Sequence, residues 1–355
     1  MSDQHSPTFE KLAGLPLEIE SCSLQALSKG VSSGFVRATT VVHLHGAGEQ
    51  GVGEDVIYDP AEQAAFQRVG APKLAGSWTL ASFGDHVDAL DLFGSKPFYV
   101  AFRAWRRWAF HSAALDLALR QNGRALHDLL EIEPRPVAFV VSRRLGEPAS
   151  TAGLRELMGR YPDLRLKLDA TDTWDQALID ELAALDALET VDFKGYSPDG
   201  DGAYPSDGSL YRRVAETLPH VWLEDPRLGT PEADAALAPY TDRITWDLPV
   251  RSVSDIEALA PAPLMINVKP SRFGSLRELC AAYDFCAEHG IGVYAGGQFE
   301  LGPGRGQVQY LASLFHPRAP NDIAPAAYND TIPAEGLPAS PLAAAPSATG
   351  FGWEC

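Results

Sequence analysis

Hydrophobic and polar positions alternate from residue 17 to residue 45, through Leu17-Glu-Ile-Glu-Ser and Ala38-Thr-Thr-Val-Val-His-Leu-His. A period of two sends successive side chains to opposite faces, so this stretch predicts two antiparallel strands. The next stretch, His45-Gly-Ala-Gly-Glu-Gln-Gly-Val-Gly-Glu, is too rich in glycine for regular structure and predicts a mobile connection or a lid over a ligand. It lacks the strand, Gly-x-Gly-x-x-Gly and helix context of a nucleotide-binding turn. From Asp59 to about Leu130 the period becomes helical, with Pro60 in a first turn and apolar residues three and four apart through Ala101-Phe-Arg-Ala-Trp and Ala114-Leu-Asp-Leu-Ala-Leu. Sheet followed by helices gives an α+β domain over residues 1–133. The aromatic stretch Phe98 to Phe110 is expected to be a packing face, with a ligand wall as the alternative. Arg103, Arg106 and Arg107 are expected to keep their heads in water.

Beyond Pro134 the pattern changes to short apolar runs separated by helical segments. The runs are Val137-Ala-Phe-Val-Val-Ser, Leu164-Arg-Leu-Lys-Leu-Asp, Thr190-Val-Asp-Phe-Lys, Val221-Trp-Leu-Glu, Ile244-Thr-Trp-Asp, Met265-Ile-Asn-Val-Lys and Ile291-Gly-Val-Tyr-Ala, with a degenerate last one near Asn321-Asp-Ile-Ala. Helices are predicted between them, from Thr151 to Arg160 through to Gly306 to Phe315. Strand and helix in strict alternation predict an α/β fold, a compact TIM (β/α) barrel over residues 134–330. The last residues, 331–355, have a linker's composition, with Pro333, Pro338, Pro341 and Pro346 among alanines.

Three consecutive runs end in groups that apolar neighbours do not tolerate without a partner: Glu224, Asp247 and Lys269. In a parallel barrel the carboxyl ends of the strands are where chemistry gathers. Alternation places Arg165, Lys167 and Asp169 on one side of their strand, and Asp192 with Lys194 on one side of the next. A charge facing a barrel interior needs a partner or a metal, because a lone buried charge costs several kcal/mol. Asp192, Glu224 and Asp247 supply hard oxygen ligands suited to Mg²⁺, with Mn²⁺ as a substitute. Lys167 and Lys269 flank them as bases. Together these parts suit removal of a proton beside a carboxylate, with the metal stabilising the enediolate.

Composition narrows the partners. The chain has 355 residues, 45% of them hydrophobic, and a formal net charge of −18, which disfavours nucleic acid and anionic membranes. No apolar run reaches the roughly 18 residues of a membrane helix. The polar start Met1-Ser-Asp-Gln-His does not read as a secretory signal, so a cytoplasmic protein is expected. Cys22, Cys280, Cys286 and Cys355 have no metal-binding spacing; Cys280 and Cys286 share a predicted helix and read as packing residues.

Several of these runs resemble the enolase superfamily, in particular the muconate lactonizing enzyme-like subgroup of the mandelate racemase/muconate lactonizing enzyme family. The matches are Arg165-Leu-Lys167 for the Lys-x-Lys of the second barrel strand, Trp222-Leu-Glu224-Asp-Pro for the fourth, Asn267-Val-Lys269-Pro-Ser-Arg-Phe-Gly for the sixth and Gly296-Gly-Gln-Phe-Glu300-Leu-Gly-Pro-Gly for the seventh. The helical stretch around Ala113 resembles the segment joining cap to barrel, and Thr349-Gly-Phe-Gly-Trp-Glu resembles the closing segment that returns to the cap. The resemblance implies an α+β capping domain on a modified barrel, a small carboxylate substrate, a homo-oligomer, and an isomerase or lyase. The reaction would be racemisation or epimerisation, cycloisomerisation, or syn elimination. It also implies that Arg165, Asn267, Gln298 and Glu300 lie near the substrate. The first metal ligand stays open between two residues: the wording around Asp169 resembles the family motif better, whereas Asp192 leaves 32 residues to Glu224, nearer one βα unit than the 55 from Asp169. Two alternatives use the same barrel, a Schiff-base aldolase built on Lys269 and a barrel that binds without catalysis.

Overall fold

The computed structural model describes residues 6–354 apart from 33, 95 and 197–207, so the polar start and Cys355 lie outside the described residues. A short helix α1 (Pro7–Ala13) leads into β1 (Pro16–Ile19), β2 (Ser21–Gly30), β3 (Val36–Gly46) and β4 (Glu49–Asp55). β2, β3 and β4 form an antiparallel meander, while β1 pairs with β5 (Gly76–Thr79). The alternation read as two strands therefore holds three, and β5 interrupts the helical stretch between α2 (Pro60–Val69) and α3 (Leu80–Ala89). Asp59 caps α2 ahead of Pro60, as the sequence suggests.

The glycine-rich stretch is neither a loose connection nor a lid. Ala47 (φ 49°) and Gly48 (φ 78°) make the left-handed pair of a hairpin turn, and β4 follows at once. Gly51 and Gly53 face α4 (Phe102–Gln121), a buried helix lying across the sheet. A Cβ at Gly51 would stand 2.3 Å from the Ala113 carbonyl oxygen, and one at Gly53 2.1 Å from that of Ala109. These glycines mark close backbone approach rather than flexibility. Gly53→Ala is expected to destabilise the fold by about 3 kcal/mol, since a helix carbonyl cannot turn aside. Denaturant unfolding checks it, and a loss below about 1 kcal/mol would mean that sheet and helix separate freely.

The aromatic stretch is a packing face: Trp108 and Phe110 enter the main core, and Phe102 and Trp105 a smaller cluster with Ile57. Arg106 departs from expectation. It is buried, with Nε 2.8 Å from Asp55 Oδ2 and its remaining donors on the Leu92 and Glu62 carbonyls. A guanidinium with a partner at each nitrogen tolerates burial that a lone one would not. Arg103 and Arg107 stay at the surface beside Asp91 and Asp88.

After α5 (Leu126–Leu130) come seven parallel strands, each hydrogen-bonded to the next in chain order: β6 (Val141–Arg143), β7 (Leu166–Asp169), β8 (Leu188–Asp192), β9 (Trp222–Glu224), β10 (Ile244–Trp246), β11 (Met265–Val268) and β12 (Gly292–Ala295). Between them lie α6 (Ala152–Arg160), α7 (Gln176–Leu185), α8 (Gly208–Thr217), α9 (Pro231–Leu237), α10 (Val253–Ala258), α11 (Pro270–Phe273) and α12 (Leu276–His289), with α13 (Pro303–Phe315) after β12. The eighth strand is reduced to two bridges, Asn321 to Phe139 and Asp322 to Gly296. These join the two edges of the sheet. The Asn321 side chain secures the junction, accepting from the Ala295 amide (2.8 Å) and donating to the Ala138 and His316 carbonyls.

The closing segment runs back over the cap, where the Gly350 amide donates to the Arg124 carbonyl and the Phe351 amide to Asp116. A second tie joins cap to barrel: Arg37 of β3 donates to the carbonyls of Gln298 and Phe299, and Glu54 of β4 accepts the Leu301, Gly302 and Gly304 amides at the start of α13. Among the described residues no helix is long and apolar enough to cross a membrane, and Cys22, Cys280 and Cys286 are free thiols.

Candidate metal centre and active site

β8 and β9 end in Asp192 and Glu224, and Asp247 follows the last residue of β10. All three are buried, and each offers an oxygen within 4.8 Å of the others. Sheet order puts these three strands between β7, which carries Lys167, and β11, which leads into Lys269. Lys167 Nζ lies 2.5 Å from Glu224 Oε1, 3.1 Å from Asp192 Oδ2 and 3.5 Å from Asp322 Oδ2. Lys269 Nζ lies 2.9 Å from Asp247 Oδ2. A carboxylate triad thus sits with one amine on either flank.

The charges are balanced locally, and balance lets them be buried. Burial disfavours the charged form of Lys167, but Glu224, Asp192 and Asp322 outweigh it and hold the amine well above its usual pKa. Burial, with Arg272 and the other lysines adding to it against the pull of Asp247, moves Lys269 below its usual value. Burial opposes ionisation of Asp192, yet Lys194 and Lys167 hold its carboxyl below the usual range. Asp247 is likewise kept low against burial by Arg272 and Lys269. Asp225 is pushed up to about 7 by burial and by Asp247 and Asp192.

Asp169 pairs with Asp192 in the β7–β8 register, but its oxygens go elsewhere, to Arg144 Nε at 3.0 Å and Lys194 Nζ at 3.1 Å. It is absent from the group of oxygens that converge. Lys194, whose backbone takes φ 53°, also bonds Asp192 through its amide and its amine.

The other residues singled out from sequence divide. Asn267 is fully buried beside Lys269: a Cβ at Gly296 would fall 2.3 Å from Lys269 Cε and 2.4 Å from Asn267 Oδ1. Neither polar atom of the Asn267 side chain has a hydrogen-bond partner among the described residues, and neither does Gln298 Nε2. Gln298 Oε1 accepts from Ser271. Glu300 is committed to the Gln298 amide of its own loop (2.6 Å) and to Arg305 in the first turns of α13 (2.9 Å). Arg165 is not brought to the triad. It precedes β7, and its guanidinium is held 2.7 Å from Glu189 and on the Asp186 carbonyl, at the opposite end of β8 from Asp192. The register slips beside Leu166 and Lys167, leaving Glu189 without a Cα partner on β7, and this sets Arg165 against it.

Sequence reasoning missed four participants. Arg272, inside the quoted Lys-Pro-Ser-Arg motif, grips both Asp247 oxygens at 2.7 and 3.2 Å. Asp225 takes a left-handed φ of 48° and accepts the Asp247 and Leu248 amides at 2.8 and 2.9 Å, fixing the third carboxylate's backbone. Asp322 sits in the degenerate eighth strand. Tyr294 donates to Glu224 Oε2 at 2.5 Å, and alternation along β12 was the one signal that could have placed it inward.

The chain matches the family described as Domain of unknown function (DUF8230), its C-terminal domain over residues 133–330 and its N-terminal domain over residues 10–129. It is 26% identical to the o-succinylbenzoate synthase of Geobacillus stearothermophilus over 256 residues, 69% of this chain and 66% of that one. It is 43% identical to the N-succinylamino acid racemase of an Amycolatopsis species over 234 residues, 64% of this chain and 62% of that one. Each match spans slightly less than two thirds of the relative's own length. Among solved structures, an enolase superfamily member from Listeria innocua superposes with a TM-score of 0.65 at 18% identity, covering 87% of this chain and 86% of that one. The chain has the enolase superfamily fold, a capping domain on a modified barrel, and it belongs to the DUF8230 family.

Proposed function

We propose that the chain is a divalent-metal-dependent isomerase or lyase that removes the proton alpha to the carboxylate of a small acid. The observation that carries this reading is a buried carboxylate triad set between two lysines by strand order. The triad fits a hard ion: its donors are all carboxylate oxygens, and three protein ligands leave positions for water and substrate. Asp192, Glu224 and Asp247 would hold Mg²⁺, or Mn²⁺ in its place, which when bound supplies positive charge to the carboxylate whose α-proton leaves.

The chain's own groups do the rest. Lys167 and Lys269 reach the α-carbon from opposite sides, so one Nζ removes a proton and the other returns one. Asn267 and the Gln298 amide, with unmet hydrogen-bonding capacity, hold the substrate's polar groups. Glu300 sets the loop that carries Gln298, and Arg165 stays at the far end of the strand, away from the triad. Two opposed bases suit racemisation or epimerisation, and the same parts serve cycloisomerisation or syn elimination. N-succinylamino acids are the first substrates to test, by likeness to the racemase relative.

Incubating the protein with a carboxylate library in D₂O and reading α-deuterium by mass spectrometry tests the reading. Exchange is expected into at least one acid, lost with a chelator and restored by Mg²⁺. A substrate trapped on Lys269 by borohydride, with activity surviving the chelator, would replace it with Schiff-base chemistry. No exchange into any acid would favour a barrel that only binds.

A further inference from the structure

Tyr294 lies in β12, across the barrel from β9, and is 1% exposed. Its hydroxyl donates to Glu224 Oε2 at 2.5 Å and faces Thr245 Oγ1 at 3.4 Å. Lys167 takes the other Glu224 oxygen at 2.5 Å. Nothing in a barrel interior requires a phenol there; a phenylalanine would fill the same volume without a hydroxyl to satisfy. A phenol is neutral at ordinary pH, with a single proton to give, and here that proton goes to a carboxylate of the triad.

We infer that Tyr294 is a positioning residue that ties down one Glu224 oxygen, so that Glu224 would offer an ion a single oxygen and the triad favour Mg²⁺ over Ca²⁺. The inference rests on the metal reading of the triad proposed above. Tyr294 holds Oε2 and Lys167 holds Oε1; a bound cation takes over the neutralising role of the ammonium, which leaves Oε1 to the ion while the neutral phenol keeps Oε2. Mg²⁺ demands a small octahedral shell of about six ligands, whereas Ca²⁺ takes six to eight and accepts both oxygens of one carboxylate. Restricting Glu224 to one oxygen therefore costs Ca²⁺ a ligand and costs Mg²⁺ nothing. The hydrogen bond also fixes the side-chain rotamer, which lowers the ordering needed when an ion binds.

The test is calorimetric titration of wild-type protein and Tyr294→Phe with Mg²⁺ alone and with Ca²⁺ alone, accompanied by thermal unfolding. Phenylalanine keeps the ring and its packing, so the variant is expected to fold. The expected result is a Mg²⁺ affinity lowered roughly ten- to a hundredfold, a Ca²⁺ affinity unchanged or raised, and an affinity ratio moved at least tenfold toward Ca²⁺. Equal losses for both ions would reduce Tyr294 to a structural part and overturn the inference while leaving the metal reading intact, as would an unchanged ratio. If wild-type protein binds neither ion, the metal reading falls and this inference falls with it.

Discussion

Lys167→Ala and Lys269→Ala are each expected to abolish turnover, while at least one of them still exchanges the α-proton of one enantiomer in D₂O. The reason is geometric. The amines occupy opposite flanks of the triad, Lys167 on β7 and Lys269 after β11. Removing one leaves a competent base on the other face but nothing to complete the transfer. A positioned general base is worth about 10²- to 10⁴-fold, so the double variant should lose exchange to that extent or more. Exchange by the double variant at the wild-type rate would sink the two-base mechanism. Lys167 also neutralises Glu224, Asp192 and Asp322; Asp192 keeps Lys194, but the buried Glu224 loses its cation, at about 3–5 kcal/mol. The comparison is therefore made with Mg²⁺ present, and circular dichroism confirms the fold before rates are read.

The second large effect concerns the ligand set. Glu224→Gln removes a charge from the middle of the three strands and should weaken Mg²⁺ binding at least tenfold while leaving the fold largely intact, because the amide keeps the volume and one acceptor oxygen. Asp192→Asn should do the same. Asp169→Asn should leave the affinity within about twofold, since its oxygens are engaged by Arg144 and Lys194 and do not join the triad. Calorimetry on the three variants decides the matter. A loss for Asp169→Asn as large as that for Asp192→Asn would reassign the first ligand, and unchanged binding by Glu224→Gln would remove the assignment altogether.

The barrel was legible because short apolar runs alternate with helical segments and several of those runs end in a charged residue. Glu224, Asp247 and Lys269 announce themselves as charges closing apolar runs and Lys167 as a charge within one, and the spacing of 32 residues from Asp192 to Glu224 already favoured the aspartate that converges. The cap was harder to read. Glycine carries the same signal whether a segment bends freely or must let another backbone touch it. Only the position of α4, 2.1 Å from where a Gly53 Cβ would sit, tells the two apart. Arg106 misled for a related reason: its type favours water, and the carboxylate that makes burial tolerable lies 51 residues away in the chain.

By itself the sequence determined the order of strands and helices in the barrel and the chemistry at several of its strand ends, because period and local charge are properties of consecutive residues. The tertiary structure decided what depends on closure. The bridges at Asn321 and Asp322 bring the first and last barrel strands together, and closing the ring turns Tyr294 toward Glu224, sets Asp322 beside Lys167 and leaves Arg165 at the far end of its strand. The Lys167–Asp322 pair alone joins residues 155 positions apart. No local pattern can encode such contacts, since they exist only once the sheet has curved until its edges meet.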